Sequence, residues 1–133
     1  RYELKYYRIA EAQFHKQNFD DAKINYKRLL SFDSVADKVK GSARERLLQM
    51  NYSENNFNEK DGYCTASGSY IQHYLCGLNY LTIGDSTSGV YFFIRSLRQM
   101  KSTKTKNGNL QTTMLDLMEM QRDYLFEDLS KLN

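Results

Sequence analysis

The fold is decided by two stretches that share one pattern of residue types: residues 6–30 read YYRIAEAQFHKQNFDDAKINYKRLL, and residues 73–97 read HYLCGLNYLTIGDSTSGVYFFIRSL. The stretches carry small and aromatic residues at matching offsets: Ala10 and Gly77, Ala22 and Gly89, Tyr26 and Phe93. Within each stretch, apolar residues recur three and four positions apart, which predicts amphipathic helices. The second copy starts 67 residues after the first, so the sequence indicates an internal repeat.

The repeated unit resembles the tetratricopeptide repeat, a helix-turn-helix unit of about 34 residues. Tyr6-x-x-Ile9-Ala10 and Ala22-x-x-x-Tyr26 match that family's pattern, and Phe19-Asp20-Asp21-Ala22 resembles the start of a second helix. The offset of 67 is one residue short of two such periods. The chain departs from the family because it has no Pro, with Ser34 near the expected place, and because Ser86 stands where the first copy has Phe19.

This resemblance implies an all-α fold, namely a right-handed superhelix of about three tetratricopeptide-like helix pairs, the middle one degenerate, plus a C-terminal capping helix. We therefore expect a single helical-repeat domain over residues 1–133, which is a suitable length for one core. The expected repeats cover residues 2–33, 35–67 and 68–101, and the capping helix covers residues 109–132.

Apolar spacing and turn residues predict the individual helices. The first two cover residues 2–17 and 19–32 and meet at Gln17-Asn18. A third covers residues 35–51, and Asp33-Ser34 can cap its start. The later pair covers residues 67–83 and 86–100, with Gly84-Asp85 as its turn and Ser86 or Thr87 as the cap of the second helix.

Two features of this pattern need explanation. Residues 52–67 are rich in Asn and contain Asp61-Gly62, which favours a loop, whereas the repeat period requires a helix there. We favour a short or degenerate helix that includes Phe57; the alternative is a long insertion without a helix, which would leave two true repeats.

Gly89 lies inside a predicted helix, where it lowers helix propensity by about 1 kcal/mol relative to Ala. The resemblance accounts for this glycine by a close approach of the two helices of the repeat.

In this family the first helix of each pair lines a concave groove. Carried over to this chain, the resemblance implies these groove residues: Tyr7, Glu11, Phe14, His15, Lys38, Glu45, Gln49, Tyr74, Leu78 and Thr82. Leu4, Leu48 and Leu81 share those helix faces. The set describes an apolar groove rich in Tyr that suits an extended or helical peptide.

Several functions are disfavoured by the residues present. Repeats that hold chaperone C-terminal tails need cations where this chain has Tyr7, Glu11, Tyr74 and Leu78. No phosphate loop or nucleophile elbow is present, so we expect no catalytic residues, no metal and no cofactor. The two cysteines do not form a disulfide framework; we expect Cys76 to be a buried free thiol, and a Cys64–Cys76 disulfide is left open for a secreted protein.

The distribution of charge and the hydropathy of the chain bear on whether it binds nucleic acid or spans a membrane. Residues 95–106 carry a basic run, and the charged residues of 116–128 are acidic apart from Arg122, within a small net charge of +3. No recognition motif accompanies the basic run, so nucleic acid is disfavoured as a partner. No apolar run has the length of a membrane span. We expect a cytoplasmic protein, although the first residue, Arg1, leaves a removed signal segment open.

These observations favour a protein–protein interaction scaffold or adaptor that binds a peptide or a helix of a partner in the concave groove. One alternative is a regulatory or sensor domain of the same repeat type within a larger protein. Another is an adaptor that binds nucleic acid or a membrane surface through the basic run. Self-association through the apolar residues of the segment 109–132 is also left open.

Overall fold

The computed structural model describes residues 2–102, and in this part of the chain all regular secondary structure is helical. The α-helices are α1 (Leu4–His15), α2 (Phe19–Leu30), α3 (Asp37–Glu54), α4 (Tyr70–Thr82) and α5 (Ser86–Ser102). The prediction of an all-α fold is therefore confirmed for these residues. The predicted polar connection after residue 102 and the predicted capping helix over 109–132 lie outside the described residues.

The chain divides into two compact units, Arg1–Asn56 and Phe57–Asn133. In the first unit α1 packs against α2, and α2 packs against α3. In the second unit α4 packs against α5. The expected single domain over residues 1–133 includes residues beyond the described range and stays a prediction. No helix within residues 2–102 has both the length and the apolar character needed to cross a membrane.

Three helices end with the same backbone arrangement, which explains why the predicted turns occur where they do. Gln17, Asn55 and Gly84 follow α1, α3 and α4 and adopt left-handed φ angles of 62°, 53° and 81°. The next amide in each case bonds the carbonyl five residues earlier, for example Asn18 N–H to the Gln13 carbonyl at 2.8 Å. This Schellman pattern satisfies carbonyls that a helix end would otherwise leave unpaired.

The core of the first unit contains the small and aromatic residues of the first repeat copy. Ala10, Ala22, Tyr26 and Leu29 are fully buried. Ala10 and Ala22 have short side chains, so α1 and α2 can approach each other closely at these positions. Ile9 is 37% exposed, however, although it belongs to the Tyr6-x-x-Ile9-Ala10 pattern of the first copy.

In the core of the second unit, small residues allow an even closer approach of two paired helices. A Cβ atom added to Gly77 would lie 3.0 Å from the Gly89 carbonyl oxygen, and one added to Gly89 would lie 3.1 Å from the Gly77 carbonyl oxygen. The two glycines therefore allow α4 and α5 to come into backbone contact. This confirms the predicted reason for Gly89, whose cost in helix propensity is offset by close packing.

Both predicted helix caps are wrong. The helix α3 begins at Asp37, and the N-cap residue Ala36 has no side chain that can accept a bond. Ser34, expected to cap α3, instead donates to Glu3 Oε1 at 3.1 Å. At the start of α5, the Asp85 carboxylate accepts from the Ser88 amide at 3.1 Å, so Asp85 caps this helix in place of Ser86 or Thr87.

The short or degenerate helix favoured for residues 52–67 is reduced to one 3₁₀ turn, which does not include Phe57. The helix α3 continues to Glu54, and the segment between α3 and α4 contains only a 3₁₀ turn, Glu59–Asp61. The segment therefore has no α-helix that could complete a repeat pair, but it is not the insertion without any helix that was the alternative. Its apolar residues are nevertheless buried: Phe57 is 8% exposed and packs against the Tyr80 ring with centroids 5.1 Å apart.

A disulfide holds this segment to α4, which corrects the expectation of a free thiol at Cys76. Cys64 in the segment is bonded to Cys76 in α4, and their Cα atoms are 5.8 Å apart. Cys76 is fully buried, as expected, but as half of a disulfide. The segment is also bonded to α5, because Arg95 Nη2 donates to the Ala66 carbonyl at 2.8 Å and Gln99 Nε2 donates to the Gly68 carbonyl at 3.0 Å.

Candidate functional site

Glu11 is the centre of a hydrogen-bonded cluster that joins the three helices of the first unit. Its Oε1 accepts from the Tyr7 hydroxyl at 2.9 Å. Its Oε2 accepts from the Tyr26 hydroxyl at 2.5 Å and from Arg46 Nε at 3.0 Å. Tyr26 is fully buried, whereas the side chains of Glu11 and Arg46 are 22% and 27% exposed. The cluster therefore extends from the core to the solvent between α1 and α3.

Arg46 connects Glu11 to two further residues of the predicted groove. Its guanidinium carbon lies 4.3 Å from the centroid of the Phe14 ring, which is a cation–π contact. Its Nη1 donates to Gln49 Oε1 at 3.1 Å. We call Tyr7, Glu11, Phe14, Arg46 and Gln49 the α1–α3 cluster. Four of these five residues were predicted from the sequence, and Arg46 was not.

The signal that could have identified Arg46 is its place on α3. It lies three residues before Gln49, so both residues share a face of the helix. The resemblance assigns Glu45 and Gln49 to the groove but not Arg46, which lies between them. A search for a cation able to pair with the half-buried Glu11 would have selected it, because a carboxylate at such a site requires a partner.

The hydrogen bonds of the cluster determine the protonation of Glu11. Burial by itself raises the pKa of this carboxyl, but bonds from Tyr26, Tyr7 and Arg46 outweigh burial and hold the pKa below its ordinary value of 4.5. The pKa of Tyr26 is raised well above its ordinary value, first by burial and then by its bond to the Glu11 carboxylate. The pKa of Tyr7 is raised for the same two reasons. Glu11 is therefore ionised and both tyrosines are neutral at pH 7.

Glu11→Gln is expected to destabilise the first unit in a pH-dependent way. Because the folded-state pKa of Glu11 is depressed, its stabilising effect is fully present above pH 4.5 and is lost as the pH falls through the folded-state pKa. We expect the variant to be less stable by about 1–2 kcal/mol at pH 7, since charge-assisted bonds are replaced by neutral ones. Urea unfolding at a series of pH values from 7 to 3 measures this difference.

The matched control for this experiment is Asp33→Asn, which neutralises an exposed acid in the connection between α2 and α3. The gap between wild type and Glu11→Gln should close below pH 4.5, whereas Asp33→Asn should track wild type throughout. A gap that is the same at pH 7 and pH 3 would show that Glu11 acts through packing and not through its charge.

The remaining predicted groove residues do not all join the cluster. His15 and Lys38 are exposed, and Glu45 is partly exposed. Leu48, which the sequence placed on the same helix face, is fully buried in the core and cannot line a groove. The three predicted residues of α4 are in the second unit: the Tyr74 ring packs 5.6 Å from Phe93, Thr82 donates to the Asn79 carbonyl at 2.6 Å, and Leu78 is partly buried.

The basic run from residue 95 is only partly a charged surface. Arg95 donates to the Ala66 carbonyl and to the Tyr91 hydroxyl, at 2.8 and 3.1 Å, so it is engaged within the second unit. Arg98 is exposed. The lysines at 104 and 106 lie outside the described residues. The structure therefore gives no added support to a nucleic-acid surface at this run.

His73 is a titratable group in the core of the second unit. It is fully buried, and neither ring nitrogen has a hydrogen-bond partner among residues 2–102. Burial, and then the charge of Arg95, lower its pKa, so the ring is neutral at pH 7. Neither cysteine of the second unit is a free thiol that could act as a nucleophile with this histidine, because Cys64 and Cys76 are bonded to each other.

Comparisons of the chain with family models, curated proteins and solved structures find no match in any of the three. Among the described residues, no group of three or more His, Cys, Asp or Glu side chains is placed to hold a metal ion. The candidate site is therefore defined by this chain's own geometry, and the α1–α3 cluster is the part of the predicted groove whose residues the structure brings together.

Proposed function

We propose that the chain is a protein–protein interaction module that binds a peptide or a helix of a partner along α1 and α3. The observation that carries this proposal is the α1–α3 cluster, where aromatic and polar side chains of the predicted groove meet and remain partly exposed. Tyr and Arg are enriched at binding hot spots because they combine contact area with directional hydrogen bonds.

The cluster has hydrogen-bonding capacity left for a partner. Within residues 2–102, no group accepts from Nη2 of Arg46 or from Nε2 of Gln49, whose other polar atoms are engaged. Both nitrogens can donate to main-chain carbonyls of a bound peptide, and the Tyr7 hydroxyl can accept from its amide. Because Glu11 is paired with Arg46, its charge does not by itself exclude an acidic partner.

We further propose that the two helix pairs are tetratricopeptide-like repeats. The burial of Ala10, Ala22 and Tyr26 in the first unit and of Gly77, Gly89 and Phe93 in the second supports equivalent roles for the two copies. The predicted right-handed superhelix, the third pair and the capping helix remain predictions. The regulatory-domain alternative differs only in the length of the natural chain and is compatible with the same site.

For the compartment, the disulfide supports an oxidising environment in place of the expected cytoplasm. Disulfides persist in secreted proteins, in the endoplasmic reticulum and in the periplasm, and they are rare in reducing compartments. Cys64 and Cys76 are the chain's only cysteines and are bonded to each other. We propose that the partner is encountered in such a compartment.

Site-specific photocrosslinking tests the proposed binding surface. The photoreactive residue p-benzoylphenylalanine is placed at Lys38 or Gln49 on α3, and at Ile24 on α2 as the control, because Ile24 is 55% exposed and is not part of the predicted groove. After exposure to an extract of the source cells, we expect a common covalent adduct from positions 38 and 49. The same adduct should be at least about fivefold weaker from position 24, since the label reacts only with atoms in contact.

One variant of the crosslinked protein completes the test. The variant Tyr7→Ala, checked for folding by circular dichroism, should lose the adduct if Tyr7 of the α1–α3 cluster anchors the partner. An adduct of equal strength from positions 24, 38 and 49, or adducts from position 24 alone, would place the binding surface elsewhere and contradict the proposal.

A further inference from the structure

His73 is an ionisable side chain in the core of the second unit whose surroundings suit only its neutral form. It lies on α4, is fully buried, and has no hydrogen-bond partner for either ring nitrogen among residues 2–102. Its ring packs against the Phe92 ring of α5, with centroids 5.7 Å apart. A protonated imidazole carries a charge and two N–H donors, and a buried charge without acceptors costs free energy. Protonation of His73 therefore opposes the packing of α4 on α5.

The charged groups of the second unit add to this cost. Among residues 2–102, the charged side chain that acts on His73 is Arg95 of α5, and a cation there disfavours a second positive charge. The pKa values of Tyr63 and Tyr80 in the same unit are raised, first by burial, so both are neutral. The carboxylates that act on these two tyrosines are Glu59, Asp61 and Asp85. Within the described residues, no carboxylate therefore offsets a charge on His73.

Arg95 connects a charge on His73 to the segment between α3 and α4. Its Nη2 donates to the Ala66 carbonyl at 2.8 Å, which fastens this segment to α5. Its Nε is buried and has no hydrogen-bond partner in the part of the chain that the structure describes. A positive charge on His73 repels the guanidinium towards solvent, and that movement breaks the bond to Ala66. The segment then loses one of the donors that hold it.

We propose that His73 is a pH-sensitive switch that loosens the packing of α4 on α5 and releases the segment between them and α3 when the pH falls towards 5. Its folded-state pKa is below the ordinary value of 6.5, so the stability is fully present above pH 6.5 and is lost as the pH falls from 6.5 through the folded-state pKa. The Cys64–Cys76 bond keeps the released segment attached to α4, so the change reverses when the pH rises. Histidines act in this way in proteins that enter acidic compartments. This behaviour does not depend on whether the first unit binds a peptide.

Amide hydrogen exchange of the full chain at pH 7 and pH 5, with the disulfide intact, measures the switch. Rates are divided by the intrinsic exchange rate at each pH, so that the remaining change reports opening of the structure. We expect the opening of α4 and α5 to increase by at least about fivefold at pH 5. The upper limit is about 25-fold, for an unfolded-state pKa of 6.5 and a folded ring that stays neutral. Peptides from α1 and α2 are the internal control and should change by less than about threefold.

Two variants assign the change to one ring. His73→Gln removes the titrating ring but keeps a neutral polar side chain, and it should abolish the difference between pH 7 and pH 5 in α4 and α5. His15→Gln removes the chain's other histidine, which is exposed on α1, and should leave that difference unchanged. A pH dependence that persists in His73→Gln, or none in wild type, would overturn the proposal.

An NMR titration tests the same proposal even if His73→Gln does not fold. The untagged His15→Gln protein holds a single imidazole, so its ring proton shifts report the pKa of His73 alone. We expect this ring to stay neutral to a pH well below 6.5 and then to take up its proton together with the opening of α4 and α5. A pKa of 6.5 or higher would show that the folded core accepts the charge, and it would overturn the proposal.

Discussion

Removal of the Cys64–Cys76 disulfide is expected to destabilise the second unit by about 3 kcal/mol. The bond closes a loop between residues 12 apart, and in the chain-entropy account a loop of this size restricts the unfolded state by about that amount. The folded segment between α3 and α4 has no α-helix of its own to keep it in place. We expect Cys64→Ala/Cys76→Ala to remain folded at 25 °C with lower resistance to urea and with faster hydrogen exchange in α4 and α5.

Hydrogen exchange followed by mass spectrometry resolves this effect because it reports the two units through separate peptides. Peptides from α1 and α2 act as the internal control and should exchange at the wild-type rate. A phosphine reductant should reproduce the effect in wild type and add nothing to the double variant. Equal exchange rates in α4 and α5 with and without the reductant would contradict a stabilising disulfide.

The same bond provides a test of the compartment. Protein recovered from its source cells under acid quench should react with a thiol-alkylating reagent only after reduction, and should then gain the mass of two labels. Two labels without prior reduction would show that the cysteines are thiols in their native environment. That result would favour the cytoplasmic location expected from the sequence.

The sequence predicted the helices better than it predicted how their ends and connections form. Periodic apolar residues place α1, α2, α4 and α5 within a few residues of their observed limits, because helical burial repeats every three to four positions. The caps were mispredicted because several polar residues precede each helix and the sequence does not show which one turns toward the helix end. Ser34 shows this, since its hydroxyl bonds Glu3, 31 residues away in sequence.

The segment between α3 and α4 shows a second limit of prediction from sequence. Its composition indicated a loop, and the repeat period indicated a helix; the composition was the better guide. The Cys64–Cys76 bond could not be derived, because a spacing of 12 residues is compatible with close or distant cysteines until the path of the connecting segment is known. The path is set by buried Phe57 and Tyr63 and by donors from α5 to the segment's carbonyls.

The residues of the α1–α3 cluster that lie on one helix could be predicted from the sequence. The contact that joins two helices could not. Tyr7, Glu11 and Phe14 share one face of α1, and the family resemblance assigned that face to the groove. The partner of Glu11 is 35 residues away on α3, and no periodicity within one helix identifies it. Ile9 and Leu48 were misplaced for the related reason that the exposed fraction of a helix face depends on which neighbours cover it.

Gly77→Ala is expected to destabilise the second unit by about 1–2 kcal/mol, although Ala is the better helix former. The added methyl group would lie 2.9 Å from the Phe93 ring and 3.0 Å from the Gly89 carbonyl oxygen, so α4 and α5 must separate or Phe93 must move. Overpacking of this kind costs about 1–3 kcal/mol, and the upper half of that range applies because one obstacle is backbone. The gain in helix propensity of about 1 kcal/mol offsets part of the loss.

Gly41→Ala supplies the matched control, because Gly41 is inside α3 and an added Cβ there has no atom within 4 Å. The same chemical change should therefore stabilise the first unit by about 0.5–1 kcal/mol through helix propensity alone. Amide hydrogen exchange should be slower than wild type in the first unit of Gly41→Ala and faster than wild type in the second unit of Gly77→Ala. Stabilisation by both would mean that α4 and α5 are not in backbone contact at Gly77 and Gly89, and the two repeat copies would then lose their strongest structural equivalence, the close approach of paired helices at small residues.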